Sequence, residues 1–124
     1  MTNVVIDNSA AVELSRNDTY DDTQYYAPEL IDLEYANALR KLLLRHVILQ
    51  EEAQAYLLSW AGNGLIRCNH AMLLPRVWDH RGNITPYDAS YVALAELLEI
   101  PLLTADRRLA KAAEAHCEVI LVGG

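Results

Sequence analysis

ITPYDASYVALAELLEIPLLTADRRLA, residues 84–110, carries a helix, a strand and the start of another helix in close succession. Thr85 supplies an N-cap hydroxyl, Pro86 suits the first helical position and Asp88 sets an acid at the third, a strong helix start. That helix runs through Ala89–Leu98, and the apolar run Pro101–Leu103 reads as a strand. Asp106 then caps a helix over Arg107–Ala115, and Glu118–Val122 forms a closing strand. Strands separated by helices of this length imply parallel pairing through helical crossovers.

The same alternation extends towards the N-terminus. Asn3–Ile6 is a short β-branched run, read as the first strand; it ends at Asp7, and Ser9–Leu14 begins a short helix. The polar stretch Arg16–Gln24 reads as a loop and Tyr25–Ala27 as a second strand. Pro28 suits the first turn of the following helix, where Leu30, Leu33, Ala36, Asn37, Leu43 and Leu44 fall near a 3.6-residue stripe reaching about His46. Gln50–Ala61 is a helix with Glu51 and Glu52 in its first turn, Asn63-Gly64 a turn, Leu65–Cys68 a strand and Ala71–His80 a helix ending at Gly82. The expected architecture is α/β, three layers, with a small and mostly parallel sheet of four to five strands.

Composition fits one compact unit. The 124 residues are 52% hydrophobic, ample for a core. No apolar run approaches the roughly 20 residues a membrane helix needs, and the N-terminus lacks a signal-peptide pattern. A cytoplasmic protein with Cys68 and Cys117 as reduced thiols is expected, and neither cysteine has metal-ligand spacing. The net charge of −7 argues against a nucleic-acid partner until its distribution is considered. Residues 1–39 hold eight acids and one base, Arg16, whereas 40–124 hold nine of each sign. The whole excess lies in the first third, where a bound cation would offset part of it.

Acids at strand ends carry the chemistry. Asp7 ends the first strand and Asp106 follows the Pro101–Leu103 strand, and ligands of an open parallel sheet collect beyond the carboxyl ends of its strands. Asp88 opens the helix leading into that strand, and Glu34 sits on an apolar helical face with Leu30, Leu33 and Ala36. Three or four carboxylates in one crevice repel one another, and a hard divalent ion with oxygen ligands, Mg2+ or Mn2+, is the usual remedy. Each acid also has an ordinary use: Asp7 as a turn residue, Glu34 as a surface acid, Asp88 and Asp106 as helix-capping groups. A phospho-accepting receiver domain would need a lysine at a strand end, and neither Lys41 nor Lys111 ends one. A haloacid-dehalogenase-like phosphotransferase would want Asp at residue 9, which is Ser.

Four stretches resemble the PIN-domain family, and within it VapC-type toxins: VVIDNSAAVE (4–13), APELIDLEYANALR (27–40), ITPYDASYVALAE (84–96) and PLLTADRRLA (101–110). They span nearly the whole chain in the family's order, implying a single PIN-like domain over 1–124. Carried over by position, the resemblance implies that Asp7, Glu34, Asp88 and Asp106 are the acidic quartet. Asp7 and Asp88 would be the most direct ligands of Mg2+ or Mn2+, and Ser9 and Thr104 the small hydroxyl residues that orient the site. The implied activity is an endoribonuclease, the toxin of a toxin–antitoxin pair, cutting RNA with a metal-activated water. A cognate small antitoxin and a homodimer are the implied partners. The alternative is a PIN-like module that binds RNA or protein without cutting. The interval from Asp7 to Glu34 departs from the family, being shorter by most of a helix.

Other side chains have plainer expectations. Arg107 and Arg108 could hold RNA phosphates but suit a solvated helix face slightly better, and Arg40, Lys41 and Arg45, along one helix flank that could face antitoxin or RNA, read the same way. His46, His70, His80 and His116 show no ligand spacing and read as surface or cap residues. Trp60, Trp78, Tyr56 and Tyr91 suit core or dimer packing better than base stacking.

Overall fold

A computed structural model describes residues 2–15 and 22–123. Five parallel strands form one sheet: β1 (Thr2–Ile6), β2 (Thr23–Pro28), β3 (Ile66–Cys68), β4 (Leu102–Thr104) and β5 (Val119–Leu121), in the order β3-β2-β1-β4-β5. The helices are α1 (Asn8–Leu14), α2 (Ile31–Leu44), α3 (Gln50–Ala61), α4 (Leu74–Asp79), α5 (Pro86–Leu98) and α6 (Arg107–Ala113). The chain winds outward from β1 through β2 to β3, then crosses back to β4 and out to β5. The winding therefore reverses between β1 and β4, where Val5 is in register with Leu102 and Ile6 with Leu103. Right-handed crossovers put α1–α3 over one face of the sheet and α4–α6 over the other.

The buried mass lies around β1, β4 and α5. Val4, Val5 and Ile6 are buried on β1, all of β4 is buried, and every residue of α5 from Ala89 to Ala95 is buried. A helix enclosed on all sides must be small or apolar all round, which the run Ala-Ser-Tyr-Val-Ala-Leu-Ala satisfies. The cap expected at Thr85 is present: its hydroxyl accepts the Asp88 N–H at 3.2 Å, and Pro86 begins the helix.

The expected α/β architecture with a small parallel sheet is present, all four strand pairings being parallel. Several finer expectations are corrected. β2 starts at Thr23, earlier than Tyr25, so the loop expected over Arg16–Gln24 gives up its last two residues; 16–21 lie outside the described residues. Pro28 ends β2 and does not open a helix: it pairs with Cys68, and the Glu29 N–H continues the ladder to the Cys68 carbonyl at 3.0 Å. A strand end tolerates the missing proline N–H. The buried face of α2 is Ile31 and Tyr35, while Leu33, assigned to the apolar stripe, is 77% exposed. The helix expected over Ala71–His80 divides into a 3-10 turn, Ala71–Leu73, and α4, with Pro75 in the first turn of α4. The last helix stops at Ala113, two residues earlier than expected.

The aromatic residues separate in the same way. Tyr91 is core, and Trp60 stacks on Tyr35 with ring centroids 4.1 Å apart, but Trp78 is 67% exposed beneath the Arg81 guanidinium. Asp32 ties α2 to its neighbours, accepting the Trp60 indole N–H at 2.7 Å and the Arg67 Nε–H at 2.8 Å.

Ile31 is fully buried at the start of α2 and anchors the turn that carries Glu34. Ile31→Ala is expected to cost about 2–5 kcal/mol of folding stability, with an unchanged denaturant slope in urea unfolding.

Candidate active site

Four helices, α1, α2, α5 and α6, begin at the carboxyl end of the sheet, and each brings an acid of the expected quartet in its first turn or at its N-cap, α2 carrying Asp32 there as well. Asp7 caps α1, Glu34 lies in the first turn of α2, Asp88 in that of α5, and Asp106 caps α6. The unpaired N–H groups and partial positive charge of a helix start favour an acid there, and two of the four, Asp7 and Asp106, also cap their helices by accepting backbone N–H groups.

Asp7 is the best held of the four. It is 5% exposed, at the seam between β1 and β4. Its Oδ1 accepts the Ala10 N–H at 2.9 Å and the Ser9 hydroxyl at 2.8 Å, and its Oδ2 accepts the Thr104 hydroxyl at 2.5 Å. Ser9 and Thr104 oxygens stand 3.2 Å apart, yet each has given its proton to Asp7. Each hydroxyl oxygen in turn accepts a backbone N–H from the turn after β4, Ala105 to Ser9 at 2.9 Å and Asp106 to Thr104 at 3.0 Å. The two hydroxyl residues thus tie both strand ends into one rigid support.

Burial raises the Asp7 carboxyl above its ordinary value; the Thr104, Ala10 and Ser9 hydrogen bonds oppose this, and the charge of Asp106 adds to it. Glu34 is raised too, first by burial, with the Tyr91 hydroxyl opposing and the charges of Asp88 and Asp7 adding. Tyr91 donates a short hydrogen bond to Glu34, and burial together with that bond keeps it a neutral phenol. Tyr91 is a site residue that the sequence reading assigned only to packing. Its place three residues after Asp88 on α5, one helical turn on, is the signal that was available.

Charge coupling therefore joins Glu34 to Asp7 and Asp88, and Asp7 to Asp106. One cation reaches the group among the described residues. Arg108, 69% exposed, donates to Asp88 Oδ2 at 3.0 Å and lies 3.6 Å from Asp106 Oδ2, and its proton is held more tightly by the hydrogen bond to Asp88. Arg108 was expected on a solvated face; it is solvated and also bridges two of the acids. Among the described residues no ion pair reaches Asp7 or Glu34. A single shared guanidinium leaves a group of four acids with negative charge still to be offset.

The donor set is all oxygen, which fits a hard divalent ion with retained waters. A cleft of about 600 Å3 lies elsewhere, lined by Ile6, Leu14, Tyr25, Tyr35, Tyr56 and Trp60, and none of the four acids borders it. Ser15, Thr23, Gln24, Ser59 and Asn63 also line it, but it offers no carboxylate, imidazole or thiol to hold an ion or activate water, so the acidic crevice is the better candidate on chemical grounds.

Residues 2–115 match the model of the PIN domain family. Ribonuclease VapC9 of Mycobacterium tuberculosis is 36% identical to this chain, covering 96% of it and 98% of the relative. Ribonuclease VapC1 of the same organism is 44% identical over 77% of this chain and 73% of its own length. The crystal structure of PAE2754 from Pyrobaculum aerophilum superposes with a TM-score of 0.73 at 26% identity, over 95% of this chain and 89% of the other.

The raised carboxyl groups set a sign for stability. An acid whose folded-state pKa lies above its unfolded value destabilises the fold when ionised; this cost is complete above the folded pKa and vanishes below the unfolded one. For Asp7 the window opens upward from about 3.8. In EDTA at pH 7, Asp7→Asn is expected to raise Tm, with the gain shrinking as pH falls through that window. Added Mg2+ should stabilise the wild type preferentially and reduce or reverse the difference. A variant that melts below wild type in EDTA at pH 7 would show that the hydrogen bonds to Asp7 outweigh its burial cost.

Proposed function

The chain belongs to the PIN domain family, and from that membership and its acidic crevice we propose that it is a metal-dependent endoribonuclease, the toxin of a toxin–antitoxin pair. The observation that carries this reading is the coupled quartet Asp7, Glu34, Asp88 and Asp106, two of whose members are raised by burial and by one another's charge. Its relatives are named ribonucleases over nearly the full length of the chain. We read residues 1–124 as one such domain.

Asp7 and Asp88 are the most direct ligands for Mg2+ or Mn2+, with Glu34 and Asp106 acting through water or completing a second position. Bound there, the ion supplies a Lewis acid for activating water and offsetting charge on the phosphodiester. The protein's own part is positioning. Ser9 and Thr104 fix the Asp7 carboxylate so that neither oxygen rotates away, and Tyr91 does the same for Glu34. Arg108 spans Asp88 and Asp106 until an ion or an RNA phosphate takes over one of those contacts, and as an exposed guanidinium at the rim it is suited to hold that phosphate.

A small antitoxin covering the crevice, a homodimer and a cytoplasmic location complete the reading. Among the described residues no helix is long and apolar enough to cross a membrane. One feature favours the alternative of a binding module that does not cut: the Arg108 bridge already neutralises part of the site.

The purified protein is expected to cleave RNA with Mg2+ or Mn2+ and to lose activity in EDTA. Asp7→Asn and Asp88→Asn should each lower the cleavage rate by about 100-fold or more while circular dichroism stays that of the wild type. Full activity in EDTA, or in the Asp88→Asn protein, contradicts the nuclease reading; no cleavage by wild type with either ion on any RNA class favours the binding module.

A further inference from the structure

Two of the four histidines, expected on the surface or at caps, meet at a distance from the acidic crevice. His80, at the end of α4, is only 8% exposed, and its Nε2 lies 2.8 Å from Glu96 Oε1 on α5. His116, in the link between α6 and β5, sets its ring edge-on to that of His80, centroids 4.5 Å apart at 76°. One donor atom from each of His80, Glu96 and His116 lies within 4.8 Å of the others. Among the described residues this is the group of histidine, cysteine or acidic side chains gathered that tightly.

We infer that His80, Glu96 and His116 form a second metal site, suited to a borderline divalent ion such as Zn2+. Two imidazoles and one carboxylate are a recurrent zinc donor set that leaves a position for water, and imidazole nitrogen selects zinc over Mg2+. The donors come from three separate segments, so an ion there would pin α4, α5 and the α6–β5 link together. Without it, the 2.8 Å hydrogen bond between His80 Nε2 and Glu96 Oε1 holds the pair.

The site is separate from the quartet. Glu96 lies eight residues along α5 from Asp88, about 12 Å of helix rise, and His116 precedes β5 at the amino end of the sheet, opposite the acids. Cys117 stays outside the donor set, its thiol turned to the Ala113 carbonyl at 3.7 Å. The inference does not depend on the ribonuclease reading.

Untagged full-length protein, stripped with chelator, is titrated with ZnCl2 by calorimetry and by thermal melting. His116 is exposed, so His116→Ala is expected to fold; Glu96→Gln tests a second donor and Asp88→Asn controls for zinc in the acidic crevice. Wild type and Asp88→Asn should bind Zn2+ and gain in Tm. His116→Ala and Glu96→Gln should lose at least about tenfold in affinity, and the gain in Tm with it. Undiminished uptake by His116→Ala, equal loss in Asp88→Asn, or no uptake by wild type would overturn the assignment.

Discussion

Everything in this fold that bears on chemistry depends on holding an ionisable carboxyl group, Asp7, almost out of water beside three other acids. Such a group tends to neutralise itself or to recruit a cation. Two hydroxyls and one backbone N–H stabilise its ionised form, but burial still outweighs them. The arrangement is therefore costly for the isolated chain, and a divalent ion held there, as proposed, would offset that cost.

The topology produces this crowding with few residues. Reversal of the winding between β1 and β4 leaves a crevice at their carboxyl ends, and Asp7 and Thr104 meet across it. The helices that follow or precede these strands start at the same end, each with an acid near its first turn. The buried helix α5 does two jobs there, carrying Asp88 at its start and delivering the Tyr91 hydroxyl to Glu34 one turn later. Its small and apolar residues let it pack against β1, β2 and β4 closely enough to do so.

Much of this was legible from residue order. Asp7 after a β-branched run, Thr85-Pro86 before Asp88, and Asp106 before a helix are local signals, and local signals survive folding because capping acts over three or four residues. Ser9 and Thr104 were placed by resemblance, and their bonds to Asp7 give them a physical role. Pro28 was misplaced because proline suits both a first helical turn and a strand end, and only the pairing with Cys68 decides. The stripe through Leu33 misled because a helix on a small sheet can bury a narrow face, here Ile31 and Tyr35, while exposing leucine. Long-range side-chain meetings had no signal in spacing: His80, Glu96 and His116 are 16 and 20 residues apart in succession. Arg108 was legible as a solvated cation but not as the bridge between Asp88 and Asp106, since its reach across to α5 is set by tertiary packing.

Crystals of the wild-type protein grown with Mn2+ and measured for anomalous scattering put the central claim to its most direct trial. The account predicts a manganese peak within coordinating distance of Asp7 and Asp88, at the carboxyl ends of β1 and β4. A crevice without manganese at concentrations that saturate the protein in solution, or manganese bound only on remote surfaces, would contradict it.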